Sequence, residues 1–205
     1  ISPGSPWISP NPRTAAGIES IVTAMYPIPV LYVEHWTYQR IGLSPFDMVA
    51  LLDVNLDLAV SRNWARIWGD IDEDWVFYGV IAGSIERGQA DPLNFVASSG
   101  EGGLLTTDRW VEETGAHELG HVFGRWHTCT PEGGEWYCDS SYPHPDGAIS
   151  DPVSGSPFSD YDPGVLYGYD PTRSTPPGPI HTNDTADIMS YAPGARWISD
   201  YTYLG

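Results

Sequence analysis

The chain has 205 residues, 41% of them apolar and 13% aromatic, a composition typical of a folded globular protein rather than a disordered one. Its 27 acidic and 9 basic residues give a net charge of −18, which argues against nucleic-acid partners and anionic membrane surfaces. No apolar run approaches the ~18–20 residues that span a bilayer. Because the chain begins at Ile1 rather than Met, we expect a processed form.

The first third of the chain predicts an extended arm, a strand and a helix. Residues 1–13 contain four prolines and predict the arm, and residues 28–33 predict the strand. Ser44 and Pro45 are typical of a helix start. Apolar residues then recur at helical spacing: Val49, Leu52, Leu56, Val60 and Trp64. A strand is the alternative, because part of this run also alternates, but its length and opening cap favour the helix.

Three β-prone runs follow, at residues 75–82, 95–98 and 104–106, and they predict one central and two shorter strands. A second helix is predicted from about residue 109 to 123. After residue 127 the chain is rich in Pro, Gly, Asp, Ser and Tyr, which predicts an irregular region with turns.

The most informative stretch is residues 117–127, which read His-Glu-Leu-Gly-His-Val-Phe-Gly-Arg-Trp-His. On the second helix, His117 and His121 project from one face a turn apart, a spacing at which two imidazoles can bind one Zn²⁺ ion. Glu118 can reach a water molecule at that metal without being a ligand. Gly124 tolerates a positive φ, so it can end the helix and return His127 as a third ligand, which leaves one position open as in catalytic zinc sites.

These residues resemble the extended zinc signature of the metzincin metallopeptidases, H-E-x-x-H-x-x-G-x-x-H followed by a Met-turn. Residues 187–191, Asp-Ile-Met-Ser-Tyr, resemble that Met-turn. The resemblance implies that Met189 lies beneath the metal site. It also implies that Tyr191 reaches the zinc region, as in the astacin-like and serralysin-like members, and donates a hydrogen bond to a developing oxyanion. Thr128, directly after the third histidine, matches none of the major subfamilies.

The resemblance implies an α+β fold in a single metallopeptidase catalytic domain, residues 1–205, with an upper lobe of about 1–124 and a lower lobe of about 125–205. The upper lobe would contain a twisted, mostly parallel sheet with an antiparallel edge strand, and two helices above the cleft. The irregular lower lobe would contain the Met-turn and a C-terminal helix beginning near residues 199–200. We expect the edge strand that pairs with extended substrate at residues 95–99.

Cys129 and Cys138 follow the third histidine closely. In a secreted protein they would form a disulfide worth ~2–3 kcal/mol, and in a cytosolic chain they would be free thiols. The resemblance to extracellular metallopeptidases favours the disulfide. Six aspartates are candidate ligands of a structural Ca²⁺ ion, with solvated turn residues as the alternative: Asp139, Asp146, Asp151, Asp160, Asp162 and Asp170. The remaining histidines, His35, His144 and His181, are expected to be ordinary polar residues.

The function implied by the resemblance is that of a secreted, monomeric zinc metalloendopeptidase acting on protein or peptide substrates, with no nucleic-acid or membrane partner. A removed propeptide is compatible with the sequence. Two alternatives stay open: a peptidase directed to glycoproteins or mucins by an aromatic-rich rim, and a non-catalytic zinc-bearing binding module. Glu118 argues against the module, which needs no general base. His127 argues against gluzincin-type peptidases, whose third ligand is a distant glutamate.

Overall fold

The computed structural model describes residues 12–26, 33–34, 48–82, 87–101, 108–130, 138–149, 168–169, 180–181, 185–192 and 196–204. These residues form a mixed α+β structure with small sheets and four helices: α1 (Pro12–Met25), α2 (Met48–Trp68), α3 (Asp108–Val122) and α4 (Asp200–Leu204). The chain divides into two compact units. The first unit comprises Ile1–Glu19 and Tyr32–Phe123, and the second comprises Ser20–Leu31 and Gly124–Gly205. That these units form one catalytic domain stays a prediction.

The first unit contains a three-stranded sheet of β1 (Phe77–Ile81), β2 (Gly88–Asp91) and β3 (Val96–Gly100), in the order β1-β3-β2. β1 runs parallel to β3, and β2 runs antiparallel to it. The predicted edge strand at residues 95–99 is therefore wrong, because β3 is hydrogen-bonded on both sides and every residue of it is buried. Among the described strands of this sheet, the antiparallel outer strand is β2.

Helices α2 and α3 pack on opposite faces of this sheet. On one face, the Ser98 hydroxyl donates a hydrogen bond to the carbonyl of Leu51 in α2, at 3.5 Å. Ser99 accepts one from the Tyr78 hydroxyl at 2.6 Å and is paired in register with Gly88, which lies against Glu118 of α3. Because successive side chains of a strand point to opposite faces, Ser98 and Ser99 assign the two helices to different sides.

The predicted helix beginning near residue 45 is confirmed as α2, whose described part begins at Met48. Its packed face includes the buried residues Ala50, Leu51 and Ala59. Arg62 is also buried on this side, and it donates hydrogen bonds to the carbonyls of Trp75 and Glu73 at 2.6 and 2.5 Å. The row of apolar residues that predicted the helix is not the face that packs: Val49, Leu52, Leu56, Val60 and Trp64 are 49–64% exposed.

Helix α1 was not predicted, since the sequence indicated an extended arm as far as residue 13. Proline is tolerated at the first position of a helix, where its missing N–H has no partner to lose, so Pro12 can begin α1. Ile18, Ile21, Val22 and Met25 are buried at helical spacing. That spacing was the signal for this helix. Residues 1–11 of the arm, residues 28–32 of the first strand and the strand at 104–106 lie outside the described residues.

The second unit is built of two-residue strands, in line with the irregular region that the sequence predicted. β4 (His127–Thr128) pairs with β5 (Cys138–Asp139), and a disulfide joins Cys129 to Cys138. The other pairs are β6 (Gly168–Tyr169) with β7 (Ile180–His181) and β8 (Ala186–Asp187) with β9 (Arg196–Trp197). Helix α4 begins at Asp200, where a final helix was expected. Of the helices described, none has the length and hydropathy to cross a membrane.

Candidate metal centre

Helix α3 carries the first two histidines of the motif. The rings of His117 and His121 lie one turn apart, with centroids 4.8 Å from each other. His117 is 5% exposed, and His121 is half-buried. The helix ends at Val122, and Gly124 has a φ of +86°, a conformation that glycine adopts at little cost. This confirms the turn predicted at Gly124, where a residue that tolerates a positive φ lets the chain change direction before His127.

The three histidines of the motif form a candidate metal site. One ring nitrogen from each of His117, His121 and His127 lies within 4.8 Å of the other two. Nitrogens that share a tetrahedral ion at ~2.0–2.1 Å are separated by about 3.3 Å, so small rotations of the rings are enough to reach bonding distance. Three imidazoles suit Zn²⁺ and related transition metals. Within the described ranges, no other group of three histidines, cysteines or carboxylates meets this criterion.

Glu118 is the buried acid of the site. Its side chain is 7% exposed, and burial raises the pKa of this carboxyl to about 8. A divalent cation at the neighbouring imidazoles would act in the opposite direction and favour the ionised carboxylate. Gly88, in the outer strand β2, has no side chain to displace it. A Cβ atom at this position would lie 2.6 Å from Oε1 and 2.7 Å from Cδ of Glu118.

His127 is held by the backbone of two neighbouring segments. It begins β4, in register with Cys138 of β5, and the disulfide from Cys129 to Cys138 closes the same pair of strands. On the other side, the N–H of Thr128 donates a hydrogen bond to the carbonyl of Met189 at 3.0 Å. The Met189 segment therefore fixes the chain directly after the third histidine.

The turn around Met189 is organised by a buried carboxyl group. Asp187 is fully buried, and it accepts hydrogen bonds from the N–H of Met189 at 2.7 Å and of Ser199 at 2.9 Å. Burial raises the pKa of Asp187, and the hydrogen bonds from Ser199 and Met189 oppose that change. No role for Asp187 was predicted from the sequence. An aspartate two residues before a turn position commonly bonds the N–H there, and that was the available signal.

Tyr191 lies beside the third histidine. Its ring centroid is 4.4 Å from that of His127, with the ring planes at 51°, and its side chain is 45% exposed. Met189 is fully buried. The structure therefore brings both residues of the predicted Met-turn close to His127, one through its ring and one through its backbone.

No protein-family model matches this chain. No curated protein and no solved structure matches it either. Three histidines can hold a metal ion, and the assignment of this site depends on the chemistry of its own residues.

The other candidate ligands have separate surroundings or lie outside the described residues. Asp139 accepts hydrogen bonds from the Tyr201 hydroxyl at 2.7 Å and the Ser141 N–H at 2.8 Å, and the bond from Tyr201 is the main cause that lowers the pKa of this carboxyl. Asp146 is an exposed turn residue with a φ of +53°. His144 bonds Asp200 at 2.8 Å. The remaining candidates lie outside the described residues: His35, the side chain of His181, Asp151, Asp160, Asp162 and Asp170.

Proposed function

We propose that this chain is a secreted zinc-dependent endopeptidase of the metzincin type. One observation carries the proposal: the nitrogens of His117, His121 and His127 converge to within 4.8 Å, and the residue after the first histidine is the buried acid Glu118. Three histidines are a ligand set found in catalytic zinc sites, which keep a position open, whereas structural zinc sites are closed by four protein ligands.

Several features of the fold support the metzincin assignment. The sheet of the first unit has a parallel pair of strands and an antiparallel outer strand, and the helix with the first two histidines packs on one face of it. The turn containing Met189 is bonded to the residue after the third histidine. The disulfide supports secretion, because disulfides persist in oxidising compartments.

In this proposal the reaction is the hydrolysis of a peptide bond. His117, His121 and His127 would hold a divalent metal ion, which would supply Lewis-acid chemistry to the scissile carbonyl and to the attacking water. Glu118 accepts a proton from the attacking water as the new C–O bond forms, and passes it to the amine as the C–N bond breaks. Tyr191 donates a hydrogen bond to the oxygen that gains charge.

Replacing the acid while keeping the ligands tests this function. The variant Glu118→Gln should bind one zinc ion per chain, as measured by metal analysis after gel filtration, and should lose nearly all cleavage of a casein-type substrate. Glu112→Gln is the matched control, because Glu112 lies on the same helix and packs against Gly17 of α1. The control should keep both zinc and activity.

Three results would contradict the proposal. Full activity of Glu118→Gln would remove the general base from the mechanism. Wild-type protein that holds zinc but cleaves neither casein nor mucin would favour the binding module. Zinc content unchanged by His127→Ala would exclude His127 as a ligand. Cleavage of mucin but not of casein would keep the chemistry and assign it to glycoproteins.

A further inference from the structure

The outward face of α2 carries a continuous row of exposed apolar side chains. Leu52, Leu56, Val60 and Trp64 follow one another at intervals of four residues, and Ile67 and Trp68 continue the row to the end of the helix. Each of these six side chains, here called the α2 stripe, is 49–74% exposed. At a rise of 1.5 Å per residue, the stripe is about 24 Å long.

The α2 stripe lies on the face of α2 turned away from the sheet. Leu51 and Val54 contact the sheet: the Leu51 carbonyl accepts a hydrogen bond from Ser98, and a Cβ atom at Gly79 would lie 2.9 Å from Val54. Because α3 packs on the other face of the sheet, the α2 stripe and the histidines of α3 belong to different sides of the first unit. A partner at the stripe would therefore not occupy the metal centre.

The α2 stripe is large for a free surface. Six side chains that each expose about half or more of their area present roughly 600–700 Å² of apolar surface, whereas the largest apolar patch on an ordinary monomer covers about 300–600 Å². One side of a standard protein interface buries about 800 Å². The stripe and its polar border are together large enough for a specific interface.

The border of the α2 stripe is acidic. Residues 48–74 contain six acidic and two basic side chains. One of the two, Arg62, is buried and bonded to backbone carbonyls, and the other, Arg66, pairs with Glu73 at 3.1 Å. Directly after Trp68, the side chains of Asp70, Asp72 and Asp74 are exposed. This negative border selects against a second copy of the chain, since each copy carries a net charge of −18.

We propose that the α2 stripe binds a cationic amphipathic helix of a partner protein. The apolar face of such a helix would cover the stripe, and its lysine and arginine side chains would pair with the carboxylates around residues 70–74. This surface is independent of the proposed peptidase activity, because it depends on none of the residues at the metal centre.

A designed peptide pair tests the proposal on the full chain. The probe is a fluorescein-labelled 18-residue helix with leucine at the a and d positions and lysine elsewhere, and its partner has glutamate in place of lysine. Fluorescence anisotropy should show at least tenfold tighter binding of the lysine peptide. The affinity should fall with rising salt concentration, because charge pairing at the border is screened.

Three variants locate the binding surface. Leu56→Ser combined with Trp64→Ser should weaken lysine-peptide binding at least tenfold. Leu93→Ser is the matched control, because Leu93 is 92% exposed and lies outside the stripe, and it should leave binding unchanged. Asp72→Asn combined with Asp74→Asn should weaken binding severalfold and flatten its salt dependence. Circular dichroism should show all variants folded.

Each competing occupant of the stripe gives its own result, and each would overturn the proposal. A dimer at micromolar concentration in sedimentation equilibrium, made monomeric by the Leu56→Ser and Trp64→Ser changes, would mean that a second copy covers the stripe. Loss of thermal stability in that variant without peptide binding by the wild type would mean that the chain covers its own stripe. Equal affinity for the two peptides would exclude charge selection.

Discussion

The sharpest test of the geometry around the general base is a methyl group added at Gly88. In Gly88→Ala, the new Cβ atom would lie 2.7 Å from Cδ of Glu118, well inside the ~3.5–4.0 Å of ordinary carbon contacts. Because Glu118 is only 7% exposed and Gly88 is hydrogen-bonded into the sheet through β3, we expect the carboxyl group to move rather than the strand.

The size of the effect follows from the size of that displacement. Cγ of Glu118 would lie closer still, so restoring normal contacts requires a shift of at least about 1 Å, and misplacing a catalytic group by 1 Å can reduce the rate by ~10²-fold. A hundredfold loss corresponds to about 2.7 kcal/mol of transition-state stabilisation. The three atoms nearest to the added methyl group all belong to Glu118, which is not a predicted metal ligand, so zinc content should stay at the wild-type level.

The assay is kcat/KM on a casein-derived peptide, measured with protein whose zinc content has been determined. Gly79→Ala is the control, because it adds the same methyl group on the same sheet but on the α2 side, where it meets Val54 at 2.9 Å and Leu58 at 3.1 Å. Gly79→Ala should lower the midpoint of urea unfolding and leave kcat/KM within about threefold. If zinc-loaded Gly88→Ala kept wild-type kcat/KM, the strand would not determine where the Glu118 carboxyl sits.

Three further predictions concern stability. Asp187→Asn should lower the free energy of unfolding by about 1–3 kcal/mol. The two carboxylate oxygens accept hydrogen bonds from the buried N–H groups of Met189 and Ser199, and an amide has only one oxygen to replace them. An unchanged urea midpoint would argue against this role. Replacing Cys129 and Cys138 by serine should lower the free energy of unfolding by about 2–3 kcal/mol. It should also weaken zinc binding, because the disulfide no longer holds β5 against the strand that begins at His127. An unchanged zinc affinity would show that the disulfide does not restrain His127. In metal-free protein, a raised folded-state pKa means that the folded chain keeps its Glu118 proton longer than the unfolded chain. The contribution of Glu118 to stability should therefore fall between about pH 4.5 and pH 8, by up to about 5 kcal/mol. Glu118→Gln should remove this contribution, so its loss of stability between pH 5 and pH 8 in urea titrations should be smaller than that of the wild type.

Local patterns predicted the parts of the site that depend on neighbouring residues. The spacing of His117 and His121 requires only helical geometry, and the turn at Gly124 requires only a residue that tolerates positive φ. Both features are present in the structure. The proximity of His127 to the first two histidines followed from the same short stretch of chain. The zinc ion, the general-base role of Glu118 and the peptidase activity stay predictions.

Contacts between distant segments were not predictable in the same way. Gly88 meets Glu118 across thirty residues of chain, and Asp187 reaches Ser199 across twelve, and no periodicity in the sequence indicates either contact. The edge strand was predicted at the wrong place for a related reason. β2 precedes β3 in the chain, but in the sheet β3 lies between β1 and β2. For α2, the spacing of apolar residues identified the helix but not its packed face, since Ala50, Ala59 and Arg62 occupy that face.

The bond between the Thr128 N–H and the Met189 carbonyl has a consequence for biosynthesis. A ribosome releases the three histidines some sixty residues before it releases the segment that steadies the last of them. A nascent or truncated chain can therefore display all of its imidazoles while lacking the framework that keeps the third in place. Tight metal binding would therefore be acquired only after residues 187–191 have been synthesised and have bonded to Thr128.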